Sequence, residues 1–174
     1  MKRAGRHRRK RLSAAPLLIM AGLSFMALRR VRERLGYSLQ GRVVLITGSS
    51  RGLGLALARE MAQEGARLVI TGRDPESLER AAASLASTGA EVLAIPADVT
   101  DAGSVADMIA AVRERYGHVD VLVNNAGVIE VGPAETMSVA DYEEAMATNF
   151  WGMLYPTLAL LPDMRARRSG RIVN

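Results

Sequence analysis

Thr47-Gly48-Ser49-Ser50-Arg51-Gly52-Leu53-Gly54 is the stretch of sequence that decides the fold of this chain. It follows the apolar run 43–46, which predicts a strand buried on both faces. It precedes the helix-forming run 55–62, which should end near Gly65. Free backbone N–H groups and the positive end of a helix dipole meet at such a turn, and glycine lets a diphosphate approach them closely. The order of strand, glycine turn and helix therefore predicts a dinucleotide site rather than an ordinary strand-to-helix turn.

Past residue 41 the chain alternates predicted strands and helices, which is typical of parallel βαβ units with right-handed crossovers. Helices are predicted over 75–86, where Asp74 is the expected N-cap, and over 101–117. A long helical stretch over 139–167 should be kinked or divided at Pro156. The predicted strands cover residues 43–46, 67–71, 91–95 and 119–123, and a fifth covers 170–174.

The turn spacing, T-G-x-x-x-G-x-G, resembles that of the short-chain dehydrogenase/reductase family. Three further features carry the resemblance, which runs from about Gly41 to Asn174: the block Asn124-Asn125-Ala126-Gly127, Asp98 after the third strand, and Asn149 in a later helix. The resemblance implies an α/β fold with a Rossmann-like, doubly wound parallel sheet of strand order 3-2-1-4-5. It also implies that the fifth strand is cut short.

The same resemblance implies the binding positions. Asp98 would meet the adenine amino group beside Val99, unless it only caps the turn before Thr100. Asn124 holds the central sheet together in the family, and Asn149, assigned to the catalytic set, helps position the catalytic lysine through a water. The implied cofactor-binding residues are Thr47, Gly48, Ser49, Ser50, Arg51, Gly52, Leu53, Gly54, Arg73, Asp98, Val99, Asn125, Ala126 and Gly127.

The choice between the two nicotinamide cofactors depends on the end of the second strand, where an acid binds the ribose hydroxyl and an arginine accepts the 2′-phosphate. The family's acid would fall on Gly72, which has no side chain to repel a phosphate. Arg73 and Arg51 offer two guanidinium groups that suit a phosphate dianion. Asp74 could instead hold a ribose hydroxyl, although its place before Pro75 favours a capping role. We therefore expect NADP (NADPH).

The catalytic residues implied by the resemblance are a serine and a Tyr-x-x-x-Lys pair, which protonates the developing alkoxide of a carbonyl or alcohol substrate. The chain contains two lysines, Lys2 and Lys10, and no tyrosine is followed by a lysine four residues later. We expect a chain truncated before these residues, inactive by itself. The alternative is a non-catalytic dinucleotide-binding or scaffold protein.

The positive charge of the chain is concentrated in residues 1–40, an arm that precedes the dinucleotide-binding domain predicted over 41–174. The arm has eleven Lys and Arg and one acid, whereas the domain has more acids than basic residues. Its basic run 1–11 is followed by seventeen uncharged residues, 12–28, predicted to form a helix. A signal peptide and a nucleic-acid-binding tail are alternatives, but a membrane anchor explains both parts of the arm. We expect no nucleic-acid partner because the domain is acidic.

Arginines follow the apolar run as well as precede it, so charge alone nominally puts the N-terminus inside the cell and the domain outside. Access to reduced cofactor favours a membrane-associated protein whose domain faces the cytoplasm, with the apolar run lying in the interface or re-entering. The orientation stays open at the level of sequence.

Composition excludes some classes of chemistry. The chain has no cysteine and only two histidines, His7 and His118, which are far apart, so it predicts neither disulfides nor a metal site. The apolar positions between Met146 and Leu161 should leave an exposed face. In the family this helix packs on a second subunit, so the resemblance implies a homo-oligomer at full length.

Overall fold

The computed structural model describes residues 36–174, in which strands and helices alternate as the sequence predicts. The predicted N-terminal helix and its apolar run 12–28 lie outside the described residues. The strands are β1 (Val43–Ile46), β2 (Arg67–Gly72), β3 (Val92–Pro96), β4 (Val121–Val123) and β5 (Arg171–Val173). The helices are α1 (Gly52–Gln63), α2 (Pro75–Ala86), α3 (Ala102–Tyr116), α4 (Val139–Met146) and α5 (Gly152–Ala166).

All five strands are parallel and form one sheet in the order β3-β2-β1-β4-β5. In the register, Val44 of β1 pairs with Leu68 of β2 on one side and with Val121 of β4 on the other. The chain builds outward from β1 to β3 and then returns to the opposite side of β1. This arrangement confirms the predicted Rossmann-like, doubly wound fold, and it opens a crevice beyond the carboxyl ends of β1 and β4.

The three central strands of the sheet, β1, β2 and β4, are buried on both faces. Val43 and Leu45 of β1 belong to the apolar core that α3 and α5 cover, and the alternate residues Val44 and Ile46 are equally buried on the opposite face. On that opposite face, α1 and α2 pack against β2. The continuous apolar run 43–46 is therefore explained by burial on two sides.

Helix starts follow the local sequence. Asp74 accepts a hydrogen bond from the Ser77 N–H at the start of α2, as predicted, and Asp101 accepts one from Gly103 at the start of α3. Ser138 and Asp141 form a reciprocal capping box at α4. These side chains occupy backbone N–H groups that would otherwise seek another partner.

The long helical stretch differs from its prediction. Its interruption is a π turn at Ala147–Trp151, where the Gly152 N–H bonds to the Ala147 carbonyl, and Pro156 lies inside α5. Proline lacks an N–H group and crowds the carbonyl four residues earlier, yet α5 continues through both Pro156 and Pro162. Four strand predictions also shift by one or two residues: β2 ends at Gly72, β3 covers Val92–Pro96, β4 begins at Val121 and β5 covers Arg171–Val173.

Within residues 36–174, no helix has both the length and the apolarity required to cross a bilayer.

Candidate functional site

The turn between β1 and α1 leaves backbone donors available. Arg51 occupies the N-cap position of α1 in an extended conformation, and no side chain caps this helix. No acidic residue stands in its first turn either, in contrast to α2. The first N–H groups of a helix have no partner inside the helix, so those of α1 are free to meet an anion at the positive end of the dipole.

The three glycines of the turn are required for different reasons. Gly48 and Gly52 have φ of +63° and +59°, a conformation that other residues rarely adopt. A Cβ at Gly48 would also lie 2.8 Å from the Ala126 Cα. Gly54 is required by packing, because its Cβ would lie 2.5 Å from the Asn125 side-chain nitrogen. The first and third glycines thus bring the turn against the end of β4.

Thr47 and Ser49 hold the turn from inside the protein. Both are fully buried. The Thr47 hydroxyl accepts hydrogen bonds from the N–H groups of Asn125 and Ala126, each at 3.0 Å. The Ser49 hydroxyl donates to the Ile46 carbonyl at 2.6 Å and accepts from the Thr71 N–H at 3.0 Å. Their side chains therefore bind the protein, and any contact with a cofactor would come through their backbone.

The two asparagines after β4 have separate functions in the fold. The Asn125 side-chain nitrogen donates to the carbonyls of Thr47 and Gly48, both at 3.0 Å, and fastens the glycine turn to β4. The Asn124 side chain donates to the hydroxyl of Thr157 in α5 and to the Asn174 side chain after β5. Asn124 thus has the sheet-holding role that the family resemblance implies.

A cleft of about 670 Å³ opens at the carboxyl ends of β1 to β4. Most of the residues implied by the resemblance line it: Gly48, Ser50, Arg51, Leu53, Arg73, Asp98, Val99, Asn125, Ala126, Gly127 and Asn149. Thr47, Ser49, Gly52 and Gly54 are not in its lining, because two are buried inside the turn and two shape its backbone. The structure brings the predicted residues together at one edge of the sheet, and their contacts with a cofactor stay predictions.

The end of β2 has the arrangement expected for an acceptor of negative charge. Arg73 lines the cleft beside Gly72, and Arg51 faces it from the glycine turn. The Asp74 carboxylate is engaged in the α2 cap, where it accepts from the N–H and the hydroxyl of Ser77. The Ser77 hydroxyl, against a smaller opposing effect of desolvation, lowers the pKa of Asp74. The capping role predicted for Asp74 is therefore confirmed.

Asp98 forms the turn that the sequence offered as an alternative. Its carboxylate accepts hydrogen bonds from the N–H and the hydroxyl of Thr100, at 2.9 and 2.8 Å. Desolvation opposes ionisation of Asp98, but these two hydrogen bonds and the charge of Arg73 outweigh it and lower its pKa. Asp98 also lines the cleft, so a contact with adenine stays a prediction beside the turn role.

The π turn sets the position of Asn149. Its side-chain oxygen accepts from the Val128 N–H and its side-chain nitrogen donates to the Val128 carbonyl, both at 2.9 Å. A Cβ at Gly127 would lie 3.1 Å from the Asn149 oxygen, so Gly127 allows this approach. Asn149 therefore holds the segment after β4 against the start of α5, and its assignment to the catalytic set stays a prediction.

Some residues of the cleft were not selected from the sequence. Val128 and Ile129 follow β4 in an irregular segment without periodicity, and Thr148 is turned inward by the π turn. Ser77 lies in the first turn of α2, where sequence indicates only helix. The lining residues that sequence did not single out are Thr71, Ser77, Ala97, Thr100, Val128, Ile129 and Thr148.

The residues of the cleft fit a dinucleotide. The uncapped N-terminus of α1 lies at the cleft and can bind a phosphate. Arg51 and Arg73 also line the cleft, and the segments after β3 and β4 line the remainder. Among residues 36–174, no three His, Asp or Glu side chains form a group that could hold a metal ion.

Comparison with known proteins agrees with this geometry. The sequence pattern of the short chain dehydrogenase family matches residues 42–174. Gluconate 5-dehydrogenase of Gluconobacter oxydans is 38% identical over 138 residues, which cover 79% of this chain and 54% of that protein. The chain therefore belongs to the short chain dehydrogenase family, whose fold binds a nicotinamide dinucleotide.

Similar solved structures include complexes with both cofactors. A metagenomic short-chain oxidoreductase in complex with NADP is 36% identical, with a TM-score of 0.72 over 78% of this chain and 62% of that one. A short chain dehydrogenase/reductase from Burkholderia phymatum in complex with NAD is 31% identical, with a TM-score of 0.77 over 80% of this chain and 50% of that one. The chain spans about half the length of the curated relatives it matches.

Proposed function

We propose that this chain is the cofactor-binding part of an NADP-dependent oxidoreductase that transfers hydride between the nicotinamide and a small carbonyl or alcohol substrate. The observation that carries the proposal is the end of β2, where Gly72 and Arg73 line the cleft opposite Arg51. The nearest carboxylate, Asp74, is occupied by Ser77 in the helix cap. The positive charge is thus directed at the place where the two cofactors differ, by a phosphate.

In this proposal the residues of the chain bind and orient the cofactor. The N–H groups at the start of α1 and the backbone of Gly48 hold the diphosphate, and Arg51 and Arg73 hold the 2′-phosphate. Asp98, Val99, Asn125, Ala126 and Gly127 line the remaining length of the cleft. The bound cofactor supplies or accepts the hydride. The hydrogen bonds of Asn149 to Val128 fix the wall beside the glycine turn.

Cofactor preference is tested by titrating NADP and NAD into the full chain by calorimetry, for the wild type, Arg73→Ala and Gly72→Asp. Loss of one charge-assisted contact should weaken NADP binding by about 10- to 100-fold and leave NAD binding nearly unchanged. Gly72→Asp should shift preference toward NAD, because a new carboxylate repels the phosphate; its Cβ meets only the flexible Ser50 side chain, at 3.1 Å.

Arg165→Gln on α5 is the control, because this exposed arginine is remote from the cleft in the fold and should leave both affinities unchanged. Tighter binding of NAD than of NADP by the wild type, or equal losses for both cofactors in Arg73→Ala, would contradict the preference.

We propose further that these 174 residues bind cofactor without turning it over, because the sequence has no Tyr-x-x-x-Lys pair to protonate a developing alkoxide. The second candidate is a non-catalytic dinucleotide-binding or scaffold protein, which would use the same cleft. NADPH oxidation should be absent with a panel of small ketones and aldehydes while binding persists. Turnover by this chain would refute its inactivity. Turnover by a longer product of the same gene, with a serine and a Tyr-x-x-x-Lys pair, would refute the scaffold alternative.

We propose a membrane association through residues 12–28, with residues 41–174 facing the cytoplasm. The support is the run of seventeen uncharged residues between arginine-rich segments. In fractionated cells the full chain should sediment with membranes and a chain lacking residues 1–35 should not. Added protease should digest the domain only after the plasma membrane is opened. Recovery of the full chain in the supernatant would contradict the membrane association. Digestion of the domain on intact cells would contradict its cytoplasmic orientation.

We propose that the full-length protein forms a homo-oligomer through the exposed apolar face of α4, the π turn and α5. Tyr142, Met146 and Leu158 are about half exposed, and Phe150 and Trp151 are more than 40% exposed. Sedimentation of the full-length product of the gene should show self-association that Leu158→Arg reduces. The exposed Val131 lies outside this face, so Val131→Arg should not reduce it. A monomeric wild type would contradict the proposal.

A further inference from the structure

A second cavity of about 310 Å³ lies between α1 and α2, on the side of α1 away from β4. It is separate from the dinucleotide cleft but adjoins it, because Ser50, Arg51 and Ser77 line both. We refer to it as the arginine groove. Its lining consists of Ser50, Arg51, Leu55, Arg59, Ser77, Arg80, Ala81 and Ser84.

The groove is formed by facing stripes of two helices. Arg51, Leu55 and Arg59 are spaced by four residues, so they share one face at the start and along α1. One face of α2 presents residues spaced by three or four positions, namely Ser77, residues 80–81 and Ser84. Leucine and alanine supply the apolar part, and the arginines and serines supply donors around it.

The lining contains three guanidinium groups and no carboxylate. Among the ion pairs of the described residues, none includes Arg51 or Arg59. Arg80 donates to the Ser77 hydroxyl at 2.9 Å and approaches the Glu76 carboxylate only to 3.7 Å, in a pair that is mostly exposed. The charge of Arg80 is thus balanced in part by Glu76 and by the nearby Asp74 carboxylate, and the positive charge of the groove left unpaired among the described residues is that of Arg51 and Arg59.

We propose that the arginine groove binds a phosphate-type anion, held by Arg59 and Arg80 together with the hydroxyls of Ser50 and Ser84; the Ser77 hydroxyl already donates to Asp74. Guanidinium groups offer paired donors that match phosphate oxygens, and hydroxyls add further donors. The anion has two possible sources: the 2′-phosphate of NADP entering across the shared wall, or a separate phosphate-bearing small molecule. Binding of the NADP 2′-phosphate rests on the proposed function, whereas binding of a separate molecule does not. Neither Arg59 nor Arg80 lines the dinucleotide cleft, so the groove adds donors that the cleft lacks.

The test is a titration of inorganic phosphate into the full chain without cofactor, at constant ionic strength with chloride as the balancing anion. We expect saturable binding in the wild type that weakens by roughly threefold to tenfold in Arg59→Gln and in Arg80→Gln, because each removes one charge-assisted contact at an exposed site. Glutamine preserves helix propensity, so both variants should fold, and thermal unfolding checks this. Arg165→Gln is the matched control and should bind phosphate as the wild type does.

Repeating the titration with saturating NADP and with saturating NAD identifies the source. If NADP blocks phosphate binding and NAD does not, the 2′-phosphate fills the groove, and Arg59→Gln should also weaken NADP but not NAD. If phosphate binds equally with both, the groove serves a separate ligand. Absence of saturable binding in the wild type, or the same loss in Arg165→Gln as in Arg59→Gln, overturns the proposal. Failure of both dinucleotides to bind would refute the proposed function. The titration without cofactor would still show whether the arginine groove binds phosphate.

Discussion

Thr47 and Thr71 are two fully buried threonines on either side of the glycine turn, and their hydroxyls are bonded differently. The Thr47 hydroxyl accepts from the N–H groups of Asn125 and Ala126 and lies 3.4 Å from the Val123 carbonyl, to which it donates. The Thr71 hydroxyl has no hydrogen-bond partner among the described residues. One hydroxyl thus joins β1 to the segment after β4, and the other contributes no bond to the fold.

Valine at these two positions should have opposite consequences. Thr47→Val leaves two backbone N–H groups without an acceptor and should lower the free energy of unfolding by about 2 to 4 kcal/mol. Thr71→Val removes an unbonded buried hydroxyl at similar volume and should be neutral, or stabilising by up to about 1 kcal/mol. Urea unfolding of both variants measures the difference. Equal destabilisation by the two changes would show that the hydrogen bonds of Thr47 do not hold the turn.

Asp98 should make stability depend on acid pH. Its pKa is lowered in the folded protein from the ordinary 3.8 because Thr100 and Arg73 favour the charged form. Its contribution is therefore present above the unfolded-state pKa and is lost as pH falls through the lower folded-state pKa. Asp98→Asn should cost less than about 1 kcal/mol near neutral pH, since the group is partly solvated, and progressively less as the pH falls through the folded-state pKa of Asp98. A difference between wild type and variant that grew on acidification would contradict this sign.

At the scale of elements, the π turn Ala147–Trp151 determines how α4 and α5 meet the cleft. One additional residue in the turn changes the direction of the side chains that follow, so Asn149 reaches Val128 while Thr148 is buried. The periodic apolar positions of the sequence do not reveal the extra residue. The π turn thus places the Asn149 side chain in the lining of the cleft.

Hydrogen exchange of the Val128 amide tests this contact. Asn149→Ala removes its acceptor and should increase the exchange rate of that amide by about tenfold, the effect of roughly 1.4 kcal/mol. Asn149→Asp retains the oxygen that accepts from the Val128 N–H but loses the donor to the Val128 carbonyl, so the exchange rate should lie between those of the wild type and Asn149→Ala. Amides in the middle of α3 should exchange at the wild-type rate in both variants. Unchanged protection of Val128 in Asn149→Ala would mean that other contacts hold this segment.

For the whole molecule, Asp120 joins elements that are far apart in sequence. Its buried carboxylate accepts from the Val43 N–H at 3.0 Å and from the Arg42 guanidinium at 3.1 Å. The His118 ring nitrogen lies 3.4 Å away and a guanidinium nitrogen of Arg167 lies 3.9 Å away. Asp120 therefore connects β1, β4 and the residue after α5 at the edge of the sheet opposite the cleft.

Asp120→Ala should destabilise the domain as a unit, by about 2 to 4 kcal/mol, because a buried N–H and nearby cations lose their partner. Asp163→Ala is the control. It breaks a more solvated ion pair with Arg167 and should cost less than about 1 kcal/mol. Thermal unfolding of the two variants measures both effects. If Asp120→Ala lowered the free energy of unfolding no more than Asp163→Ala does, Asp120 would not be a major source of stability.

The sequence by itself determined the order of the elements, their parallel βαβ connections and the glycine turn, and its resemblance to the family implied the doubly wound strand order. The order of elements and the turn follow from local patterns: apolar runs such as 43–46, the cap at Asp74, and glycines where only glycine fits. Short-range sterics and burial fix such features, so they can be predicted from neighbouring residues.

Only the tertiary structure decided which side chains face the cleft. Thr47 and Ser49 turn inward because partners on β4 and β2, distant in sequence, accept or donate their hydrogen bonds. The π turn, the junction at Asp120 and the arginine groove likewise arise from elements that meet only in the folded chain. A residue's partners are set by long-range packing, and a pattern read along one chain carries no information about which distant groups will meet.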